Sequence, residues 1–339
     1  MKQERRTFLK GTGGAMALAA AGAWNVPSDK SSAPKPDRPR GMATGLTLLT
    51  IRRAGEHRLA IKMPAGILDV PEASRALKMY APATMDDLLQ NEDGPALNAL
   101  AARASKSLEL SKAFYDEKQV EFGPVVTRPE KIVCVGLNYR KHAAEVGMAI
   151  PKQPVLFNKY NNTLNHHGGA IKLPTDLASK FDYEVELVIV IGKEARNISE
   201  ADALSCVAGY ATGNDFTSRD LQFDTGGQWM AGKTPDQFAP LGPYMVTADQ
   251  IDPDHLRIEC RVNGETRQDS NTSDFIFNTR QMIHYISRII TLKPGDIIFT
   301  GTPQGVIQGH PKDKQVWLKP GDRIACSVEK LGELKFSLV

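Results

Sequence analysis

The chain has 339 residues, 41% of them hydrophobic and 24% charged, the balance of a soluble globular protein with enough apolar surface for one large domain or two. Its 42 basic and 39 acidic residues leave little of the basic surplus that a nucleic-acid binder keeps, so no nucleic-acid partner is expected. No run of 18 apolar residues occurs, so no transmembrane helix and no membrane partner of the mature form are expected.

Residues 1–23 differ from the rest. Arg5-Arg6 precede Thr7-Phe8-Leu9-Lys10, and an uncharged run of small and apolar residues then ends in Ala21-Gly22-Ala23. This order of charged, apolar and small-residue regions resembles a twin-arginine export signal, which implies a periplasmic location. The segment holds Lys2, Arg5, Arg6 and Lys10 against Glu4, so the remainder carries 38 basic and 38 acidic residues. Residues 24–44, rich in Pro, Ser and charge, read as a disordered linker. The four cysteines, Cys134, Cys206, Cys260 and Cys326, are widely spaced and lie mostly in strand-like runs, so buried free thiols are expected.

Short β-like runs at 46–51 and 57–61, followed by helical spacing over 83–120, predict a small N-terminal α+β domain spanning 45–127. A larger unit, 128–339, opens near Arg128-Pro129. Its strands are expected at 131–135, 187–191, 256–262 and 296–300, and its helices at 139–146, 200–203 and 279–290. Asn263-Gly264 predicts a hairpin turn. Leu-Lys-Pro-Gly-Asp occurs at 292–296 and again at 318–322, each copy reading as a type II turn into a strand. With no strand–GxGxxG–helix unit and no P-loop, the predicted class is α+β, mixed and β-rich.

The segment Asp182-Tyr183-Glu184-Val185-Glu186-Leu187 carries the chemistry. Glu184 and Glu186 share one face of a strand, and the run that follows is apolar on both faces, so the strand enters the interior. Two like charges there repel unless a divalent cation joins them; a solvated edge-strand face is the alternative reading. A small-residue run, 208–214, ends in Asp215. Three carboxylates without a nearby His or Cys make a hard oxygen site suited to Mg²⁺, Mn²⁺ or Ca²⁺ rather than Zn²⁺.

In this order, Gly136-Leu137-Asn138-Tyr139-x-x-His142-x-x-Glu145, Pro154-Val155-Leu156-Phe157-x-Lys159, Tyr183-Glu184-Val185-Glu186-Leu187, Asn214-Asp215-x-Thr217-x-Arg219-Asp220-x-Gln222, Gln228-Trp229-x-x-Gly232-Lys233 and Gly301-Thr302-Pro303-x-Gly305-Val306 resemble the fumarylacetoacetate hydrolase family over roughly 130–339. The resemblance implies a mixed β-roll catalytic domain and a homodimer. It further implies Mg²⁺ or Mn²⁺ on Glu184, Glu186 and Asp215, and a small α-keto acid substrate such as an acylpyruvate. It places Arg219, Gln222, Lys233 and Thr302 at that substrate.

Read from the residues alone, Lys233 is either an oxyanion partner or a surface lysine. Arg219 and Gln222, one helical turn apart, either reach one ligand or build a structural salt bridge to Asp220 or a neighbour. Thr302 binds a carboxylate or shapes a turn. His142 and Glu145, three apart on a helix, make either a surface pair or an oriented base; the resemblance favours the base. On this basis the expected reaction is hydrolysis of a C–C bond in an acylpyruvate or related 2,4-diketo acid, with His142 activating water and Lys233 stabilising the developing charge. The alternative on the same site is a decarboxylase, isomerase or lyase acting on an oxaloacetate-, 2-hydroxymuconate- or ureidoglycolate-type substrate. Two departures from the family pattern stand out. His166 and His167 follow the Lys159 motif, and Val306-Ile307-Gln308 lacks a glycine common after the valine.

Overall fold

A computed structural model describes residues 38–339, of which Pro39–Val339 form one compact unit. The signal-like segment 1–23 and most of the expected linker 24–44 lie outside the described residues. Among the described residues, no helix is long and apolar enough to cross a membrane.

The architecture is β-rich α+β. The strand Val185–Ile191 is buried along its whole length because sheet neighbours and both sheet faces cover it. It pairs antiparallel with Val207–Asn214 on one side and Ile297–Phe299 on the other, at the centre of a 12-stranded sheet. Leu187 and Ile189 point to one face, into a core shared with Ile258, Cys260, Ile324, Cys326 and Phe336 of a five-stranded sheet. Val188 and Val190 point to the other face, packing with Leu88, Leu97 and Leu100 from helices Met85–Asn91 and Gly94–Ala104. Such two-sided burial is why the sequence here loses its period-two alternation.

The segment expected as a separate domain, 45–127, contributes directly to this frame. Its strand Thr47–Arg53 pairs with Glu56–Met63 and, through Thr47 opposite Val246 and Leu48 opposite Met245, extends the large sheet from Ala239–Thr247.

The two Leu-Lys-Pro-Gly-Asp copies fold alike. Gly295 (φ +93°) and Gly321 (φ +97°) occupy the position that type II geometry reserves for positive φ. The aspartates close the turns onto the backbone N–H of Lys293 at 2.7 Å and Lys319 at 2.9 Å. The helix Thr279–Ile289 starts on a capping box between Asn278 and Gln281 and buries Met282, Ile283 and Ile286. The helix expected at 200–203 is displaced. Ser199 and Asp202 bond to each other and hold a turn, and a single 3₁₀ turn, Ala203–Cys206, follows it. All four cysteines are buried and free, with Cys260 and Cys326 opposite one another on paired strands, their sulfurs 3.8 Å apart.

Candidate active site

Strand register assembles the acidic trio. Val185 pairs with Asn214, and Asp215 N donates to Glu184 O at 2.9 Å, so Asp215 lies beside Glu184 at the end of two central strands. Oxygens of Glu184, Glu186 and Asp215 all lie within 4.8 Å of one another, and all three residues are buried.

Three buried cations surround them. Lys159, at the end of Val155–Lys159, places Nζ 2.5 Å from Asp215 Oδ1. Lys233 Nζ donates to Glu184 Oε2 at 2.8 Å and to Asp215 Oδ2 at 2.7 Å. Arg219 forks onto Asp182 Oδ2 through Nε at 2.9 Å and Nη2 at 2.8 Å, reaches Glu184 Oε1 at 2.7 Å and donates through Nη1 to Gln222 Oε1 at 3.0 Å. The structural salt bridge weighed for Arg219 therefore forms, with Asp182 and Glu184 and not with Asp220. Asp220 instead accepts from Ser218 Oγ and the backbone N–H groups of Ser179 and Lys180.

The carboxylates differ in their surroundings. Burial would raise Glu184, but Lys233 and Arg219 outweigh it and hold the group below the ordinary carboxylate range. Glu186 forms no ion pair among the described residues; one oxygen accepts from Gly301 N at 2.7 Å. Burial, then Asp215 and Glu184, push it well above its ordinary value. Lys233 is pulled down by burial, yet Asp215 and Glu184 more than restore its charge.

His142 lies on the helix Arg140–Glu145, its Nδ1 3.3 Å from Glu145 Oε2, while Glu145 Oε1 accepts from Gly305 N at 2.9 Å. The dyad is therefore tied at both ends, and Nε2 is the ring nitrogen left for the cavity. Thr302 Oγ1 donates to Val185 O at 2.9 Å and accepts from Gln268 Nε2 at 2.8 Å, so its hydroxyl braces the strand end.

A cavity of about 280 Å³ opens over these groups, and His142, Glu184, Glu186, Arg219, Gln222, Lys233 and Thr302 all line it. Of the residues singled out in the sequence, Glu145 and Asp215 stand behind this lining, in contact with residues that face it. Gln308, from the loop that departs from the family pattern, also faces the cavity. His166 and His167 do not. His166 sits on a strand paired with Ala239–Thr247, and His167 packs against Phe122 at 4.8 Å between centroids. Sequence reasoning passed over Lys159, which stands inside a motif that carried the resemblance, and Asp182, which immediately precedes one. A lysine closing a β-run and an acid opening a buried one were the available signals.

A buried cluster of carboxylates and cations beside a His–Glu pair makes a donor set that suits a hard divalent cation. Residues 131–339 match the family described as fumarylacetoacetate (FAA) hydrolase, C-terminal, and the chain belongs to that family. It is 48% identical over 217 residues to a fumarylacetoacetate hydrolase domain-containing protein 2 homolog of Dictyostelium discoideum, covering 61% of this chain and 70% of that one. It is 41% identical over 268 residues to a mitochondrial oxaloacetate tautomerase, Fahd2a, of Rattus norvegicus, covering 79% and 82%. Among solved structures, maleylpyruvate hydrolase from Sphingobium sp. SYK-6 in complex with manganese(II) and pyruvate is similar at 29% identity and TM-score 0.69, covering 86% of this chain and 98% of that one.

Proposed function

We propose that this chain is a metal-dependent enzyme moving a proton between carbon and oxygen of a small 2-oxo acid, as in the enol–keto interconversion of oxaloacetate. The observation that carries it is the buried, backbone-tethered His142–Glu145 dyad facing the same cavity as Glu184, Glu186 and Lys233. The relative named as an oxaloacetate tautomerase supports the substrate.

The residues fit a divalent cation. Asp182, Glu184, Glu186 and Asp215 are four buried carboxylates against three buried cations, Lys159, Arg219 and Lys233. If all ionise, one negative charge is left, and Glu186 is the member without a cation at its side. A divalent ion on Glu184, Glu186 and Asp215 relieves their mutual repulsion and leaves one positive charge for a substrate carboxylate. When bound, Mg²⁺ or Mn²⁺ supplies a Lewis acid that polarises the 2-oxo group.

The chain's own groups then do the following. Glu145 turns His142 so that Nε2 receives the proton leaving C3 and returns it. Lys233 and Arg219 hold Glu184 in place and keep positive charge against the oxygen that gains electron density. Arg219 is itself aimed by Asp182.

The test follows enol decay of oxaloacetate in the ultraviolet, with Mg²⁺ or Mn²⁺ and then with EDTA. Acceleration that EDTA and His142→Ala both abolish supports the reading; acceleration unaffected by His142→Ala sinks the assigned base. Hydrolysis of a 2,4-diketo acid is the second reading, favoured by the same dyad, which suits activation of water, and by the similarity to a maleylpyruvate hydrolase. Product NMR separates the two, because hydrolysis breaks a C–C bond to give two smaller acids and tautomerisation leaves the carbon skeleton whole.

We also propose export of the enzyme on the basis of residues 1–23. Arg5-Arg6→Lys-Lys is expected to retain it in the cytoplasm, and an unchanged periplasmic fraction would overturn this.

A further inference from the structure

The cavity has two chemically distinct linings. Carboxylates and cations make one of them. Carbon makes the other, from Val146, Met148, Phe157, Phe223 and Trp229, and the two meet where Lys233 Nζ stands 5.2 Å from the centroid of the Phe157 ring. Phe157 and Trp229 meet edge to face, with centroids 5.3 Å apart and planes at 70°. The indole lies on the main chain of Gly136, where an added Cβ would stand 2.6 Å from Trp229 Cζ3. Any side chain at position 136 would displace the ring, so the glycine lets the indole lie flat as a wall. Phe223 and Met148, 47% and 51% exposed, stand at the mouth.

The Arg and Lys side chains that line this cavity are Arg219 and Lys233, and both are already taken by Asp182, Glu184 and Asp215. A second substrate carboxylate against the carbon lining would leave water without gaining an uncommitted Arg or Lys. An aryl or branched alkyl group there would leave water favourably, and an aryl group could meet Trp229 and Phe157 in an aromatic contact.

We infer that the carbon lining of the site selects an uncharged apolar substituent, so that 2-oxo monoacids bearing an aryl or branched alkyl group at C3 are substrates of the proton transfer proposed above. The inference rests on that reading for its chemistry and on the carbon wall for its selectivity. The step balances without a co-reactant's electrons. The C3–H bond breaks, with the proton carried by His142 and its electron pair forming the C2=C3 double bond, while the carbonyl π pair moves to the 2-oxo oxygen, where an O–H bond forms to give the enol. No oxidant or co-reactant is needed. Trp229, Phe157 and Met148 are the residues that read the substituent.

Two measurements test it. The first compares turnover of phenylpyruvate with that of oxaloacetate on the metal-loaded enzyme and on Met148→Arg, an exposed position where a cation is tolerated. Phenylpyruvate is expected to match or exceed oxaloacetate in kcat/KM, and Met148→Arg to lower the phenylpyruvate-to-oxaloacetate ratio about tenfold. A hundredfold preference for oxaloacetate in the parent enzyme, or a ratio unmoved by Met148→Arg, overturns the inference. The second measurement is calorimetric and independent of turnover. Benzoylformate has no C3 proton and cannot enolise, and it is expected to bind about tenfold tighter than pyruvate, a difference that Trp229→Ala erases. Equal binding of the two overturns the inference. Tighter benzoylformate binding with no turnover of either acid leaves the carbon wall standing and fails the proton-transfer reading instead.

Discussion

Asp182 and Arg219 form a buried fork in which one carboxylate oxygen accepts from both Nε and Nη2 of the guanidinium, at 2.9 and 2.8 Å. The same carboxylate receives the backbone N–H groups of Ile307 at 2.9 Å and Gln308 at 3.1 Å. One aspartate thus aims the arginine that grips Glu184 and also pins the loop that walls the cavity. Asp182→Ala leaves Arg219 buried with only part of its partners and takes the carboxylate from the N–H groups of Ile307, Gln308 and Tyr183, and is expected to cost about 3–5 kcal/mol. Urea denaturation measures this; a loss below about 1 kcal/mol contradicts the fork's structural role.

Glu145→Gln keeps an oxygen for Gly305 N but removes the charge that orients His142. The expected outcome is a kcat lowered by about ten- to a hundredfold with KM little changed, since the dyad acts on the reacting proton and not on ground-state binding. Steady-state kinetics on oxaloacetate enol decide it. A rise in KM alone would place Glu145 in binding.

Metal is expected to stabilise the fold as well as the reaction. Free Mn²⁺ at a hundred times its dissociation constant should add about 2.7 kcal/mol to unfolding, read as a rise in Tm. Glu186→Gln should erase most of that rise. An equal rise in the variant would move the ion away from the trio.

Acid should loosen the protein through two histidines outside the site. Burial lowers the pKa of both His57 and His167, the latter packed on Phe122 with Nδ1 accepting from Lys335 N at 3.2 Å. The folded state prefers the neutral ring. The stability this contributes is therefore present above the unfolded value of about 6.5 and is lost as pH falls through the lower folded value. Melting from pH 7.5 down to 5 is expected to show a falling Tm, with a shallower slope in His167→Gln. The same slope in that variant would remove His167 from the account.

Thiol reagents should find none of the four cysteines until the chain unfolds, because all are buried, and burial raises the thiols of Cys134, Cys206 and Cys260. Rapid labelling of the native protein would contradict the packing of the core.

Much of this was legible in the sequence because it is local. The paired Leu-Lys-Pro-Gly-Asp turns, the Asn263-Gly264 hairpin and the same-face spacing of Glu184 and Glu186 each depend on a few adjacent residues. What escaped depends on distance along the chain. Lys159 meets Asp215 across 56 residues and Asp182 meets Arg219 across 37, and no short-range pattern records such a pairing. Arg219 was weighed against its neighbour Asp220 because proximity in sequence was the only proximity visible. The participation of 45–127 in the large sheet was hidden for the same reason, since strand order is set by register across more than 190 residues.

That shared sheet bears on how the protein could be cut or recombined. A fragment trimmed to 131–339 would strip Thr47–Arg53 from Ala239–Thr247 and bare its backbone at Met245 and Val246, along with the apolar face over Val188 and Val190. A raw strand edge beside uncovered hydrophobic surface invites self-association. The part of the chain that carries the chemistry is therefore not portable on its own, and any transplant of this active site into another scaffold must bring a replacement strand with it.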